Sequence, residues 1–213
     1  MIDLRLAPLV KAFSVTWLLH NELKESRTML DLGCGKGPGL TSMIMDGYKV
    51  GLDLYLPYLM DAKHHFDDVI RGDICYLPFK LKSFDVVVLM EVIEHLNKRN
   101  GEKLLDELVR LARRKIIITT PNGFFAKLHL ENGNPLQAHL SGWNIEDFLT
   151  RGYRVYGMNG WRRLRIEGGK PLLRPRIVGE IICSLTQMIT FKRPQYAFQL
   201  LCIKNIKENN SAR

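Results

Sequence analysis

Apolar positions in this chain follow two periods that alternate along its length. Short runs rich in β-branched residues and leucine fall at about 28–32, 48–53, 68–71, 84–90, 115–120, 153–158 and 196–204, and each reads as a strand. Between several of them the apolar positions return every three or four residues, as on one face of a helix. One helix is predicted from about Pro38 to Asp46, with proline in its first turn. A second, near 101–113, sets Leu104, Leu105, Leu108 and Leu111 on one stripe, and Arg113, Arg114 and Lys115 are expected to close it at the negative end of its dipole. A third runs from Asn144 to Arg151, with Gly152 as its C-cap. Strands alternating with helices predict an α/β protein whose parallel sheet is covered on both faces.

Two further segments are apolar without being strands. The N-terminal stretch (Leu4, Leu6, Leu9, Val10, Phe13, Trp17, Leu18, Leu19) carries Arg5 and Lys11 and lacks a small-residue cleavage site. It reads as a helix packed on the domain or covering a ligand pocket, not as a targeting segment. No run reaches the ~18 apolar residues needed to cross a bilayer. Late in the chain a helix is predicted with Ile177, Val178, Ile181, Ile182, Leu185, Met188 and Ile189 on one face, between Arg174, Arg176 and Lys192, Arg193. Such a helix suits peripheral membrane contact; packing of the stripe on its own domain is the favoured expectation.

The chemistry is concentrated early. Residues 30–37 read LDLGCGKG, and the next strand ends VGLDL with Asp53. A strand running into clustered glycines, followed by a strand closed by a carboxylate, is how an α/β fold holds a nucleoside. The glycines at 33, 35, 37 and 39 alternate, unlike the G-x-G-x-x-G spacing that seats a pyrophosphate, and Pro38 removes one N–H donor. Asp31 just before the turn would repel a pyrophosphate but suits a ligand carrying an ammonium and a sulfonium. In these motifs the chain resembles the class I S-adenosylmethionine-dependent methyltransferases, over roughly residues 25–160.

The resemblance implies a single-domain, Rossmann-like, doubly wound, mostly parallel seven-stranded sheet with an antiparallel last strand, its last two strands forming a hairpin. Residues 1–213 would divide into an N-terminal helix (1–26), a core (27–159), an insertion (160–194) that shapes substrate selection, and a last strand (195–204). S-adenosylmethionine would be held by Asp31, Gly33, Cys34, Gly35 and Gly37, by Asp53 and Leu54 at the ribose, by Asp73 and Ile74 at the adenine, and by Glu91. Cys34 is a small filler in this loop and not a nucleophile. Asp31 also suits a turn cap, Asp53 a helix N-cap, and Asp73, after Gly72, an Asx-turn.

Glu91, Glu94 and His95 would share one face if their turn is helical. With His139, beyond the run Thr120-Pro121-Asn122-Gly123, they compose a candidate site for a Mg²⁺- or Mn²⁺-like ion. The E-x-x-E-H spacing is similar to that of ubiquinone-pathway O-methyltransferases and of small-RNA 3′-terminal 2′-O-methyltransferases, the latter with a further histidine to which His139 would correspond. The same turn also occurs in the superfamily without metal, with Glu91 lining the cofactor pocket and His95 as a catalytic base or a helix cap.

Composition adds one asymmetry. Hydrophobic residues at 46% and charged ones at 25% describe an ordinary soluble globule. Four cysteines, at 34, 75, 183 and 202, form no C-x-x-C pair, which fits a reducing, cytoplasmic setting. The net charge of +9 sits in the second half: residues 123–213 hold 14 bases against 6 acids, whereas residues 1–122 hold 17 against 16. An anionic partner follows, whether a small molecule, nucleic acid or a lipid surface; a solvated basic face is the alternative. The expected activity is methyl transfer to an oxygen or nitrogen of an anionic or lipid-like small molecule. A metal-assisted RNA 2′-O-methyltransferase and a non-catalytic S-adenosylmethionine-binding protein are the alternatives. The last is disfavoured because Asp31, Gly33, Gly35, Asp53 and Asp73 are all present. Oligomeric state is left open.

Overall fold

The computed structural model describes residues 15–37, 39–126 and 134–206. The expectations on residues 1–14 and on Pro38 lie outside them. Its strands are β1 (Thr28–Leu32), β2 (Tyr48–Asp53), β3 (Asp68–Arg71), β4 (Phe84–Met90), β5 (Ala112–Pro121), β6 (Arg154–Trp161) and β7 (Ala197–Asn205). They form one sheet in the order β3-β2-β1-β4-β5-β7-β6. The pairs from β3 through β5 are parallel, and β7 runs antiparallel to both β5 and β6. The Rossmann-like fold and the antiparallel last strand are as expected.

Helices α1 (Val15–Leu23), α2 (Leu40–Ile44) and α3 (Leu56–Ala62) precede α4 (Lys98–Leu111), α5 (Ile145–Leu149) and α6 (Arg176–Thr190). Side-chain alternation along each strand divides the core into two layers. Val87 and Leu89 face Leu104, Leu105 and Leu108 of α4, while Val86 and Val88 face Leu19 and Leu23 of α1 and Leu59 of α3. The buried leucines of α4 are the predicted stripe. Among the described residues no helix is long and apolar enough to cross a membrane.

Three bases take a different place from the one predicted. Helix α4 stops at Leu111, and Lys82 caps it: its ammonium donates to the carbonyls of Val109 and Ala112, and its backbone N–H to that of Arg110. Arg113, Arg114 and Lys115 therefore start β5, where the register against β4 shifts between Phe84 and Val86. Arg113 pairs with Asp85, Arg114 with Glu25, and Lys115 with Glu22. Glu22 also accepts from Arg154 on β6 at 2.8 Å, so one carboxylate locks α1 across two strands.

The apolar stripe of α6 also departs from expectation. The residues that α6 buries are Gly179, Cys183 and Thr190, while Ile177, Ile181, Leu185 and Ile189 are exposed. The reason is the strand it covers. β6 is a sheet edge, and an edge leaves peptide groups that need partners. Gln187 accepts from the Gly160 N–H and donates to the Gly157 carbonyl, and the Thr186 hydroxyl accepts from the Trp161 N–H. The approach is close enough that a Cβ on Gly157 would lie 2.1 Å from the Thr190 carbonyl oxygen. The polar, small face of the helix is consumed in capping the edge, and the apolar face turns outward.

The α1 lock sets a pH dependence. Burial would lift the Glu22 carboxyl, but hydrogen bonds from Lys115 and Arg154 and their charges hold it below its ordinary 4.5. Burial likewise opposes Asp85, yet the N–H groups of Arg27 and Thr28, with Arg113, bring it below 3.8. Groups depressed in the folded state contribute stability that is complete above their ordinary values and is lost as pH falls through the folded ones. Thermal melting should therefore be flat down to about pH 5 and fall below it. Glu22→Gln should cost about 1–2 kcal/mol at neutral pH and flatten that acid limb; an unchanged limb would show that this lock does not carry it.

Candidate active site

The cofactor loop is assembled by backbone hydrogen bonds that only its glycines allow. The N–H groups of Gly33 and Cys34 both donate to the Leu52 carbonyl, at 2.7 and 3.1 Å, which folds the end of β1 back against β2. Gly33 sits at φ +72°, and a Cβ there would lie 2.6 Å from a Val92 methyl. Gly35, at φ +60°, faces open space where a Cβ would stand. Asp53 ties the loop down: one carboxylate oxygen accepts from the Gly35 N–H at 2.9 Å and the other from Tyr55 N–H at 2.8 Å. Cys34 is buried, and burial and then the nearby Asp31 and Asp53 charges push its thiol well above the ordinary range. It is an inert filler.

The opposite wall comes from the turn after β4. Glu91 adopts φ +58°, a conformation costly for a side-chain-bearing residue and concentrated at functional sites. Its N–H donates to Thr119, and its carboxylate accepts from the Gln199 amide of β7 at 2.6 Å. A short 3₁₀ turn, Ile93–His95, follows. Glu91 therefore lies outside the helical turn and does not share a face with Glu94 and His95. Glu94 is buried and accepts from the Thr120 hydroxyl at 3.1 Å.

His139 reaches this turn through a docked segment. The N–H groups of Leu140 and Ser141 both donate to the Glu94 carbonyl, at 2.8 and 3.1 Å. Trp143 is fully buried, its indole N–H donating to Ser141. It packs so closely on Gly101 of α4 that a Cβ there would lie 2.4 Å from the ring. The imidazoles of His95 and His139 stand edge to face with centroids 5.0 Å apart. Nδ1 of His95 lies 3.0 Å from the Ala138 carbonyl, and Nδ1 of His139 lies 2.6 Å from that of Phe125. A carbonyl only accepts, so each neutral ring carries its proton on Nδ1 and its basic lone pair on Nε2.

These elements enclose one cavity of about 1080 Å³, lined among others by Asp31, the loop from Gly33 to Gly37, Glu91, Glu94, His95 and His139. Asp53, Leu54, Asp73 and Ile74 lie outside its lining, further along the same sheet edge. Asp73 accepts from the Cys75 N–H at 2.8 Å, an Asx-turn, and Ile74 packs against the core. Ile166 and Lys170, from the insertion 160–194 expected to shape substrate selection, belong to the lining, whereas Phe125, Phe198 and Gln199, which also line it, were not singled out from the sequence. Of these three, Gln199 left a signal, as a polar residue inside the apolar run of β7.

The family pattern described as a methyltransferase domain matches residues 30–118. A protein of Encephalitozoon cuniculi named as a methyltransferase is 30% identical over 162 residues, 73% of this chain and 75% of that protein. The chain belongs to the methyltransferase family. Phthiotriol/phenolphthiotriol dimycocerosates methyltransferase 1 of Mycobacterium ulcerans is 31% identical over 142 residues, 62% of this chain and 49% of the relative. The crystal structure of an S-adenosylmethionine-dependent methyltransferase from Archaeoglobus fulgidus superposes with a TM-score of 0.57 at 20% identity, over 92% of this chain and 93% of that one, a likeness of fold.

The cavity fits the cofactor of this class I methyltransferase, S-adenosylmethionine. The open side of Gly35 lets a ligand approach bare backbone, and buried Asp31 offers negative charge to an ammonium. At the other side Glu94, His95 and His139 each bring one ligand atom within 4.8 Å of the others. One carboxylate and two imidazoles suit a cation of the Mn²⁺ or Zn²⁺ kind better than Mg²⁺, which prefers oxygen alone. Both imidazoles are already oriented by carbonyls on Nδ1, as metal-binding histidines are.

Two substitutions test this construction. Gly35→Ala should cost about 1–2 kcal/mol through its left-handed backbone, while its methyl enters the cavity and weakens S-adenosylhomocysteine binding at least about tenfold. Calorimetric titration showing wild-type affinity in this variant would place the cofactor elsewhere. Gly101→Val should lower stability by about 3 kcal/mol and disturb His139, read as a shifted imidazole resonance in NMR spectra.

Proposed function

We propose that this methyltransferase transfers a methyl group from S-adenosylmethionine to an oxygen or nitrogen of an anionic or lipid-like small molecule, with His95 deprotonating or positioning the acceptor. The observation that carries the reading is the cavity itself. Ligand pockets commonly run from about 300 to 1,000 Å³, so about 1080 Å³ leaves room for an acceptor beside the cofactor. The acceptor side is walled by Phe125, Ala126, Ile166 and Phe198, with Lys170 as a cation among them. That lining suits an apolar body carrying an acidic group. The mycobacterial relative is named for a lipid acceptor, which supports the same reading.

Methyl transfer from a sulfonium is an in-line displacement on an activated carbon, so placement and proton removal are what the protein must supply. The lone pairs of His95 and His139 at Nε2 belong to the same wall as Glu91 and Glu94. The carbonyl of Glu94 receives Leu140 and Ser141, and its carboxylate, which accepts from the Thr120 hydroxyl, belongs to the cavity wall with both histidines. A divalent cation held by Glu94, His95 and His139 would polarise the acceptor oxygen and favour its ionised form. That cluster favours a second reading, a metal-assisted 2′-O-methyltransferase acting on RNA, and supports kinship with the ubiquinone-pathway type.

Replacing either histidine by asparagine should lower turnover by about 10²-fold or more while leaving S-adenosylhomocysteine affinity within about threefold. Chelation separates the two chemistries. Activity lost to a chelator and restored by Mn²⁺ supports the cation; full activity after exhaustive chelation leaves His95 as a direct base. Turnover unaffected in both histidine variants would overturn the role of this wall.

A further inference from the structure

The stripe that periodicity assigns to the core lies on the outside of α6. Ile177, Ile181, Leu185 and Ile189 are 76%, 54%, 64% and 59% exposed and follow one another at every fourth position. Ile177, Ile181 and Leu185 border a shallow groove of about 660 Å³ along the helix, together with Met188, Arg176, Glu180 and Ser184. Leu172 and Leu173, exposed in the segment before α6, extend the apolar surface beyond its first turn.

The charges at the two ends of this surface have one sign. Arg174 and Arg176 stand exposed at one end of the helix and Lys192 and Arg193 at the other. Glu180, the helix's single acid, is bonded to Arg165. At the C-terminal end Trp161 and Tyr196, each partly exposed, meet edge to face at 6.3 Å. Amphipathic aromatics of this kind favour the boundary between water and hydrocarbon.

We propose that this face docks the protein flat on an anionic lipid bilayer, with the α6 stripe at the boundary of headgroups and acyl chains and the flanking bases among the phosphates. Charge decides between a bilayer and a second copy of the chain. A two-fold pairing through this face would set Arg174 and Arg176 against themselves or against Lys192 and Arg193, like against like in either orientation. An anionic surface meets every base with opposite charge. The segment that leads into the docked face, from Ile166 to Lys170, is also a wall of the active-site cavity, so docking brings its mouth to the lipid. The proposal goes beyond the transfer reaction and does not rest on the identity of the acceptor.

The test is co-sedimentation of the full chain with phosphatidylcholine vesicles, with or without about one-third phosphatidylglycerol. The wild-type chain should bind the anionic vesicles at least about tenfold more tightly than the neutral ones, and high salt should release it. Ile181→Asp with Leu185→Asp should abolish binding, and Arg174→Glu with Arg176→Glu should weaken it about tenfold or more. Both variants should keep wild-type affinity for S-adenosylhomocysteine, which shows that they fold and separates this surface from the cofactor site. Absence of wild-type binding to anionic vesicles, or binding unaltered by the aspartates, overturns the proposal. A concentration-dependent dimer dispersed by the aspartates, without vesicle binding, assigns the face to a second copy and overturns it equally.

Discussion

Parallel pairing of β1 with β2 on one side and β4 on the other is the constraint on which this structure hangs. Parallel neighbours need a crossover between them, so every strand from β3 to β5 ends on the same edge of the sheet. That edge gathers the Gly33–Gly37 loop, Asp53 and Glu91 from positions far apart in the chain. Hydrogen bonds then make the gathering specific. Leu52 receives two N–H groups from the loop of the neighbouring strand, and Asp53 receives a third. The cofactor loop is thus held by β2 as much as by β1.

The wall that faces it is built at some cost. Glu91 takes a left-handed backbone and Glu94 is a carboxylate almost wholly out of water, each of which the surroundings must overdetermine. Trp143 supplies much of that support. Its burial against Gly101 holds the segment from Ala138 to Trp143, and two N–H groups of that segment close on Glu94. A hydrophobic anchor on one side of the turn thereby fixes a polar constellation on the other. The histidines gain a defined tautomer from carbonyls that belong to two different loops, those of Ala138 and Phe125.

The end of the sheet shows how two physical demands compete for one helix. An edge strand needs hydrogen-bond partners, and apolar side chains need shelter from water. In α6 the first demand is met by Thr186 and Gln187, whose side chains reach the β6 peptide groups because Gly157 and Gly160 let the helix come close. The second is left to whatever the outer face meets. The basic excess of the C-terminal half flanks that outer face, so the charge asymmetry and the exposed stripe belong to one surface.

The sequence by itself determined the elements and the chemistry of the loop. Strand runs such as 84–90, the α4 stripe, Gly152 as a cap and the glycine-rich turn followed by Asp53 are local signals, set by period and by backbone freedom, and they reappear in place. Tertiary structure decided what depends on a partner distant in the chain. Glu91 lies outside the turn it was expected to share with Glu94 and His95 because its left-handed backbone bonds Thr119 while its carboxylate meets Gln199 of β7, which no spacing near residue 91 encodes. Arg113 to Lys115 became strand because Lys82 had already capped α4, and their charges answer Asp85, Glu25 and Glu22. The α6 stripe points outward because burial is settled by which face satisfies β6, and periodicity reports that a helix has two faces without saying which one the fold requires.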